Sequence, residues 1–406
     1  MRVLLIHQNF PGQFRQLAPA LLAQGHEVIG LGARVTPWAA TGVAYRSCGG
    51  QPDQDQRQVL PEKRIIAQLG QGRRVKQQLQ QLASEGWQPD VVMAHPSWGE
   101  VLFINDVFPD VPLIALLEID LQGLDLAGFD PELAQLCSQD LGANLELRQW
   151  TELQAIRRMA IGITATTFQR STFPEWLHNR ITVIHEGVDV QKCRPDPLAI
   201  FALANGHQFR RGDALISFGS RSLEPIRGLT TFLKALPEIQ RHRPDVHVII
   251  VGQDGPSYGP PPPTGGSWRQ HLLQSLSGDI DLTRLHFTGH LPHLELVKLF
   301  QVTAAHVYFT APYVLSWSML EAMACGAVIV GSATAPVEEV ISHGDNGWLV
   351  PFFDYKKLAK TLLAALGDPA GQDPLRQSAR RTILNAYTQE SCTARQISLL
   401  KQVIDL

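Results

Sequence analysis

The sequence predicts an α/β protein of two doubly wound, Rossmann-like domains in series, and three observations predict it. Short apolar, β-rich runs alternate with segments whose apolar residues recur at helical spacing, the rhythm of a parallel sheet. That rhythm breaks at a polar, proline-interrupted stretch, 191–213, and then starts again. With 406 residues, the chain is also longer than one ordinary core fills.

In the first half, "RVLLIH" (2–7) reads as a buried strand and "FRQLAPALLAQG" (14–25) as a helix closed by glycine. "HEVIGLG" (26–32), a helix at about 60–85, "DVVMAH" (90–95) and "PLIALLE" (112–118) follow. A helical stretch at 143–159 leads into "IGITATT" (161–167), and "ITVIHEGVDV" (181–190) is a strand running into a turn. The stretch 191–213 is expected to connect the domains. Beyond it come "ALISFGS" (214–220), the helix "LTTFLKALPEIQRHRP" (229–244) and "VHVIIVG" (246–252). "RLHFTGH" (284–290), the helix "LELVKLFQVT" (294–303), "AHVYFT" (305–310), "AVIVGS" (327–332) and "NGWLVPF" (346–352) complete the second set. The insert "DGPSYGPPPPTGGSW" (254–268) suits a surface loop.

Composition excludes several classes. A formal net charge of -3 gives no bulk attraction to nucleic acid. Five scattered cysteines without a Cys-x-x-Cys pair fit a reducing cytosol better than a disulfide scaffold or a zinc site, so a cytoplasmic protein is expected. "MRVLLIHQNF" is too short in apolar residues for a signal peptide. The most apolar region, 302–331, is broken by His306, Pro312 and Glu321, whereas a span needs about 20 apolar residues.

Ligands of open parallel sheets bind beyond the carboxyl ends of the strands. "FGSRSLEPIRG" (218–228) lies at such an end, and Arg221 and Arg227 in this glycine-bounded loop carry guanidinium groups suited to a diphosphate. "TAPYVLSWSMLEAMACG" (310–326) lies at another. Its loop feeds a helix whose first N–H groups favour a phosphate or sugar hydroxyls, and Glu321, one turn in, suits a diol such as a ribose. Read structurally instead, both arginines are surface charges and Glu321 supports its own helix. His95 ends a strand before Pro96, where a histidine is either structural or faces a ligand.

The ordered motifs "GSRSLEPIRG", "IIVGQDGP", "LHFTGHLP", "LSWSMLEAMACGAVIVGS" and "VEEVISHGDNGWLVPFFD" resemble the nucleotide-sugar domain of the retaining GT-B-fold glycosyltransferases of family 4. "HEGVD" (185–189) matches the end of that family's first domain; "HQNFPGQFRQLAPAL", "HPSWGE" (95–100) and "GFDPE" (128–132) resemble a bacterial subgroup. The resemblance implies a first, acceptor-side domain over 1–195, rejoined by a C-terminal helix at 388–406, and a nucleotide-sugar domain over 196–387, the two facing across a cleft. It implies a retaining hexosyltransferase that moves a sugar from a nucleotide diphosphate sugar to a hydroxyl acceptor: a sugar, a glycan or a lipid-linked glycan. No metal and no other cofactor is implied.

The same resemblance implies residue roles. Glu321 matches the second Glu of the family's Glu-x7-Glu motif, which holds the ribose; the first falls on Tyr313, where relatives contact the donor sugar. Backbone amides of Leu315, Ser316 and Trp317 would grip the sugar. Arg227 takes the place of the diphosphate lysine and Arg221 that of its arginine partner, one residue further apart than usual, with Gly219 in the same loop. Leu291 falls where relatives hold the base, and Gly12 matches a glycine near the donor phosphate. His95 and Glu118 are the expected groups of the first domain, Glu118 standing where many relatives carry histidine.

Two features compete with this reading. "DID" (279–281) resembles the metal-binding Asp-x-Asp of the GT-A class but lies in the polar stretch "LSGDIDLTR", which suits a solvated loop. "KRIIAQLGQGRRVKQQL" (63–79) carries five cations, enough for weak contact with the inner face of a membrane, although Gly70 and Gly72 weaken it as one amphipathic helix and a solvated face is the simpler reading. A nicotinamide-dependent dehydrogenase requires Gly-x-Gly-x-x-Gly after the first strand, which "LIHQNFPGQFRQ" lacks. The other alternative is a non-catalytic sugar-nucleotide-binding protein with a degenerate site, kept open by Tyr313 and Glu118.

Overall fold

A computed structural model describes residues 1–34, 42–50, 61–130, 146–147, 149–255 and 259–405. Residues 131–132 of "GFDPE", 143–145 and 148 of the expected helix, and 256–258 of the proline-rich insert lie outside the described residues. The chain divides into two compact units. The first comprises Met1–Leu124, Gln139–Gly187 and Gln389–Leu406; the second comprises Asp125–Ser138 and Val188–Thr388. The division after Gly187 falls earlier in the chain than the 195/196 boundary read from sequence.

The first unit holds strands β1 (Arg2–Ile6), β2 (Glu27–Gly32), β3 (Ala44–Ser47), β4 (Val91–Ala94), β5 (Leu113–Leu116), β6 (Ile161–Thr164) and β7 (Ile181–Val183). All pair in parallel, in the order β3-β2-β1-β4-β5-β6-β7. "VLLI" is continuously apolar because both sheet faces are covered. Leu4 and Ile6 enter the core on one face; Val3 and Leu5 enter the core on the other. The C-terminal helix, Gln389–Ile404, packs on this second face, where Ile397, Leu400 and Val403 join Val3, Leu5, Leu17 and Leu21.

In the second unit β8 (Ile200–Ala202) and β9 (Gln208–Arg210) form an antiparallel pair. The stretch expected to be a plain connection therefore carries a hairpin, too short and too exposed to leave an apolar run. β10 (Leu215–Ser222), β11 (His247–Gln253), β12 (Leu285–Gly289), β13 (Ala305–Tyr308), β14 (Ile329–Ser332) and β15 (Trp348–Val350) make a parallel sheet ordered β12-β11-β10-β13-β14-β15. Ile216, Phe218, Val248 and Ile250 fill one face; Leu215, Ile249 and Val251 fill the other.

The basic segment forms one helix, Pro61–Ser84. Gly72 does not weaken it: a Cβ there would lie 2.7 Å from the Gly99 carbonyl oxygen, so the glycine is what lets the helix approach that loop. Val75, Leu79 and Leu82 face the core, and Lys76 pairs with Asp106 at 2.7 Å. Among the described residues no helix is long and apolar enough to cross a membrane.

Leu400 is fully buried between the C-terminal helix and the first sheet. Leu400→Ala should cost about 2–5 kcal/mol of stability, the range for emptying a well-packed leucine site. Urea denaturation followed by far-ultraviolet circular dichroism measures it; a loss below about 1 kcal/mol would mean that this helix does not share the core.

Candidate active site

A doubly wound sheet opens a crevice where the strand order reverses. In the first unit that point lies between β1 and β4. The loop after β1 carries His7 and Gly12; the segment after β4 carries His95 and Trp98. Gly12 has φ +48, and a Cβ there would sit 2.5 Å from the His7 ring, so no other residue fits without displacing it. The His7 ring meets those of His95 and Trp98 at 5.2 Å each, and His95 stacks on Trp98 at 4.5 Å. His7 Nδ1 accepts from the Asn9 N–H at 2.9 Å.

Glu118, just beyond β5, closes this cluster. Its Oε1 accepts from Gln13 Nε2 at 3.0 Å and lies 3.4 Å from His95 Nε2. Burial pushes His95 down, but Glu118, helped by Glu152 and Glu100, more than reverses this and leaves its pKa raised. Burial also dominates at His7, and with repulsion from His95 it lowers that pKa to about 3. The two neighbouring imidazoles are thus shifted in opposite directions, His7 down and His95 up. Glu100, fully buried, accepts from the Trp98 N–H at 3.1 Å, and burial raises its pKa to about 7.

In the second unit the order reverses between β10 and β13. β10 is bulged against β11 between Gly219 and Ser222, and the exposed Arg221 lies in that irregular end. Arg227 is buried and anchored within the unit: Nη1 donates to Thr310 Oγ1 at 2.8 Å and to the Val314 carbonyl at 2.9 Å, and the guanidinium lies 5.5 Å from the Tyr313 ring centroid. The next residue, Gly228, has φ +75 and abuts Phe309. Arg227 thus stitches the loop after β10 to the loop after β13, a role that spacing did not suggest; Arg221 makes none of these contacts among the described residues.

The β13 loop ends at Ser316, which caps the helix Trp317–Ala324 by accepting from the Ser318 N–H. The Ser316 N–H donates to the buried Tyr308 hydroxyl at 2.6 Å. Leu315 is buried, Trp317 half-buried, and Leu291 lies half-buried beyond β12. Glu321 faces away from the helix's own core contacts and accepts from His293 Nε2 at 2.9 Å. It is therefore not a lone acid. Cys193 lies within 4.8 Å of both. The hydrogen bonds of His293 to Cys193, first, and to Glu321 raise its pKa to about 10. The Cys193 pKa is lowered, first by its hydrogen bond with Cys325, while Cys325 is raised by the same contact and by burial.

Two family models match in tandem: "Glycosyl transferase family 4 group" over residues 24–193 and "Glycosyl transferases group 1" over 213–368. The chain belongs to the GT-B glycosyltransferases of family 4 type. A phosphatidyl-myo-inositol mannosyltransferase of Mycolicibacterium smegmatis is 28% identical over 274 residues, 66% of this chain and 62% of that protein. A glycogen synthase of Mycobacterium tuberculosis is 24% identical over 74% of this chain and 66% of its own. The chain thus spans less than two thirds of the length of these relatives. Among solved structures, Anabaena HepE in complex with UDP-glucose has a TM-score of 0.69 at 16% identity, covering 99% of this chain and 100% of that one. Sucrose-phosphate synthase of Thermosynechococcus elongatus has a TM-score of 0.73 at 16% identity, covering 100% and 99%. At such identity the likeness speaks to the fold alone.

Where the family motif has its first carboxylate, this chain places the Tyr313 ring beside the Arg227 guanidinium. The "DID" carboxylate Asp281 accepts from Thr283 and Arg284 at 2.6 Å and 2.8 Å, which fits a turn cap. His293 and Cys193 went unnoticed in the sequence; only the fold brings them to Glu321.

Because the His95 pKa lies above the ordinary 6.5, the stability drawn from its pairing with Glu118 is fully present below that value and is lost as pH rises through the folded value. Glu118→Gln should therefore lower Tm more at about pH 5.5 than at about pH 8.5. Thermal melts across that range check it; a gap independent of pH would mean that the pair does not govern His95's proton.

Proposed function

We propose that this glycosyltransferase moves a sugar from a nucleoside diphosphate sugar to a hydroxyl acceptor with retention of configuration, without a resident metal in the catalytic step. The observation that carries the reading is the convergence, at the strand-order reversal of the second unit, of three elements. These are the capped N-terminus of Trp317–Ala324, the buried Arg227 and, one turn into that helix, Glu321. The relatives' names, among them a GDP-mannose-dependent mannosyltransferase, and the neighbour bound to UDP-glucose support a sugar-nucleotide donor.

In this reading Glu321 accepts from the ribose hydroxyls. The helix N-terminus and the amides of Leu315 and Trp317 receive the sugar and the adjoining phosphate, whereas the Ser316 N–H, expected to join them, is already taken up by the Tyr308 hydroxyl. Leu291 and its neighbours serve the base. Arg221 and Arg227 oppose the charge that grows on the departing diphosphate, preorganised so that little rearrangement is needed during reaction. Gly12, His95 and Glu118 are assigned to the donor-phosphate and acceptor-side chemistry of the first unit. There His95, its pKa raised by the neighbouring Glu118, is suited to hold or donate a proton.

Glu321→Gln should weaken binding of a nucleoside diphosphate by about 1–3 kcal/mol, the range for a hydrogen bond to a charged group. Calorimetry with UDP and GDP measures this, and unchanged affinity for whichever nucleotide binds wild type would remove the ribose assignment. Turnover of any donor and acceptor pair separates an enzyme from a non-catalytic binder.

The arginines separate by kinetics. Arg221→Ala, lacking an anchoring role, should lower kcat by roughly 10–1000-fold while leaving Tm unchanged. Arg227→Ala should lower kcat and also raise the donor KM, because it frees the β13 loop; Arg227→Lys should recover part of the rate. Activity should survive EDTA. Wild-type kcat in both alanine variants, or loss of activity on chelation restored by manganese, would contradict this source of charge stabilisation.

A further inference from the structure

We infer that Cys193, His293 and Glu321 form a binding site for a thiophilic divalent cation of the Zn2+ type. Each residue offers one ligand atom, and the three atoms lie within 4.8 Å of one another. The donors are a sulfur, an imidazole nitrogen and a carboxylate oxygen, a mixture that suits Zn2+ and is poor for Mg2+ or Ca2+. Ligand atoms about 2.0–2.3 Å from a shared tetrahedral ion lie roughly 3.5 Å apart. Closing on an ion thus asks for a short contraction toward the thiol, while the 2.9 Å contact between His293 and Glu321 opens slightly.

The ligands come from three separate segments, and the surrounding bonds hold those segments together. Arg380 Nη1 donates to the carbonyl of Cys193 itself at 3.2 Å and to that of Ala324, at the end of the Glu321 helix, at 2.5 Å. Gln301, on the helix that begins with His293, donates to the Arg194 carbonyl beside Cys193 at 2.8 Å. Such outer bonds keep ligands oriented before an ion arrives. There is also a way in: Cys193 is fully buried, whereas the side chains of His293 and Glu321 are 38% and 16% exposed. An ion would enter past the imidazole and carboxylate and meet the thiolate at the bottom. Three protein ligands leave a fourth position for water.

A bound cation takes the carboxylate that the nucleotide reading gives to the ribose. Cation and nucleotide then exclude each other, and the cation acts as an inhibitor rather than a participant in transfer. This exclusion rests on the nucleotide reading; the cation site does not.

The test uses the reduced full chain and Co2+ as a spectroscopic probe. One equivalent should produce thiolate-to-cobalt charge-transfer absorption, and Zn2+ should abolish it by displacement. Cys193→Ser should remove the band, and His293→Gln should weaken Zn2+ binding by roughly 10–100-fold or more, the range for losing groups that merely orient ligands. Far-ultraviolet circular dichroism checks that the variants fold, and the wild-type spectrum decides independently of them. No charge-transfer band in wild type, or a band unchanged in Cys193→Ser, overturns the site. In a second arm, saturating Zn2+ should abolish calorimetric binding of UDP or GDP. Unaltered nucleotide binding to the zinc-loaded protein overturns the exclusion and the Glu321 ribose assignment, with the cation site standing on its spectrum.

Discussion

All-parallel pairing is the constraint from which the rest of each unit follows. Parallel strands carry every carboxyl end to the same edge, so the loops that follow them gather there whatever their separation in sequence. Because β1 and β10 lie inside their sheets, with later strands added first on one side and then on the other, the edge parts at one place in each unit. Both faces must be covered for the pairing to survive, hence the continuous apolar strands and the two cores on either side of each sheet.

Within that frame, buried charge selects the local geometry. A guanidinium removed from water is tolerated only with its hydrogen bonds made, and Arg227 makes them to Thr310 and Val314. The same bonds fix the loop that leads to the Ser316 cap. In the first unit, burial alone would strip the proton from both His7 and His95; the carboxylate of Glu118 separates their behaviour. The pKa values of two buried imidazoles side by side are thereby shifted in opposite directions.

Much of the fold was legible because buried parallel strands leave unbroken apolar runs. "RVLLI" and "HVIIVGQ" announce themselves, whereas β3, "AYRS", is a short edge strand without such a run. The hairpin at 200–210 alternates exposed and buried residues over only three positions per strand, too few to register. That His95, Arg221, Arg227 and Glu321 lie at or beyond the carboxyl ends of strands was legible because it follows from topology. Their partners were not. His293 reaches Glu321 from the start of another helix, and Cys193 lies in a stretch that reads as a connection. Gly72 misled because its purpose, approach to Gly99, exists only in the folded packing.

In the proposed reading the second unit receives the nucleotide at its strand-order reversal, with the diphosphate at the β10 and β13 loops and the ribose on Glu321. A crystal structure with a bound nucleoside diphosphate tests this most directly. Both ribose hydroxyls should lie within hydrogen-bond distance of the Glu321 carboxylate, displacing His293 from at least one oxygen, with phosphate oxygens at the Leu315 and Trp317 N–H groups. A nucleotide bound elsewhere on the chain, with Glu321 still paired only to His293, would contradict it.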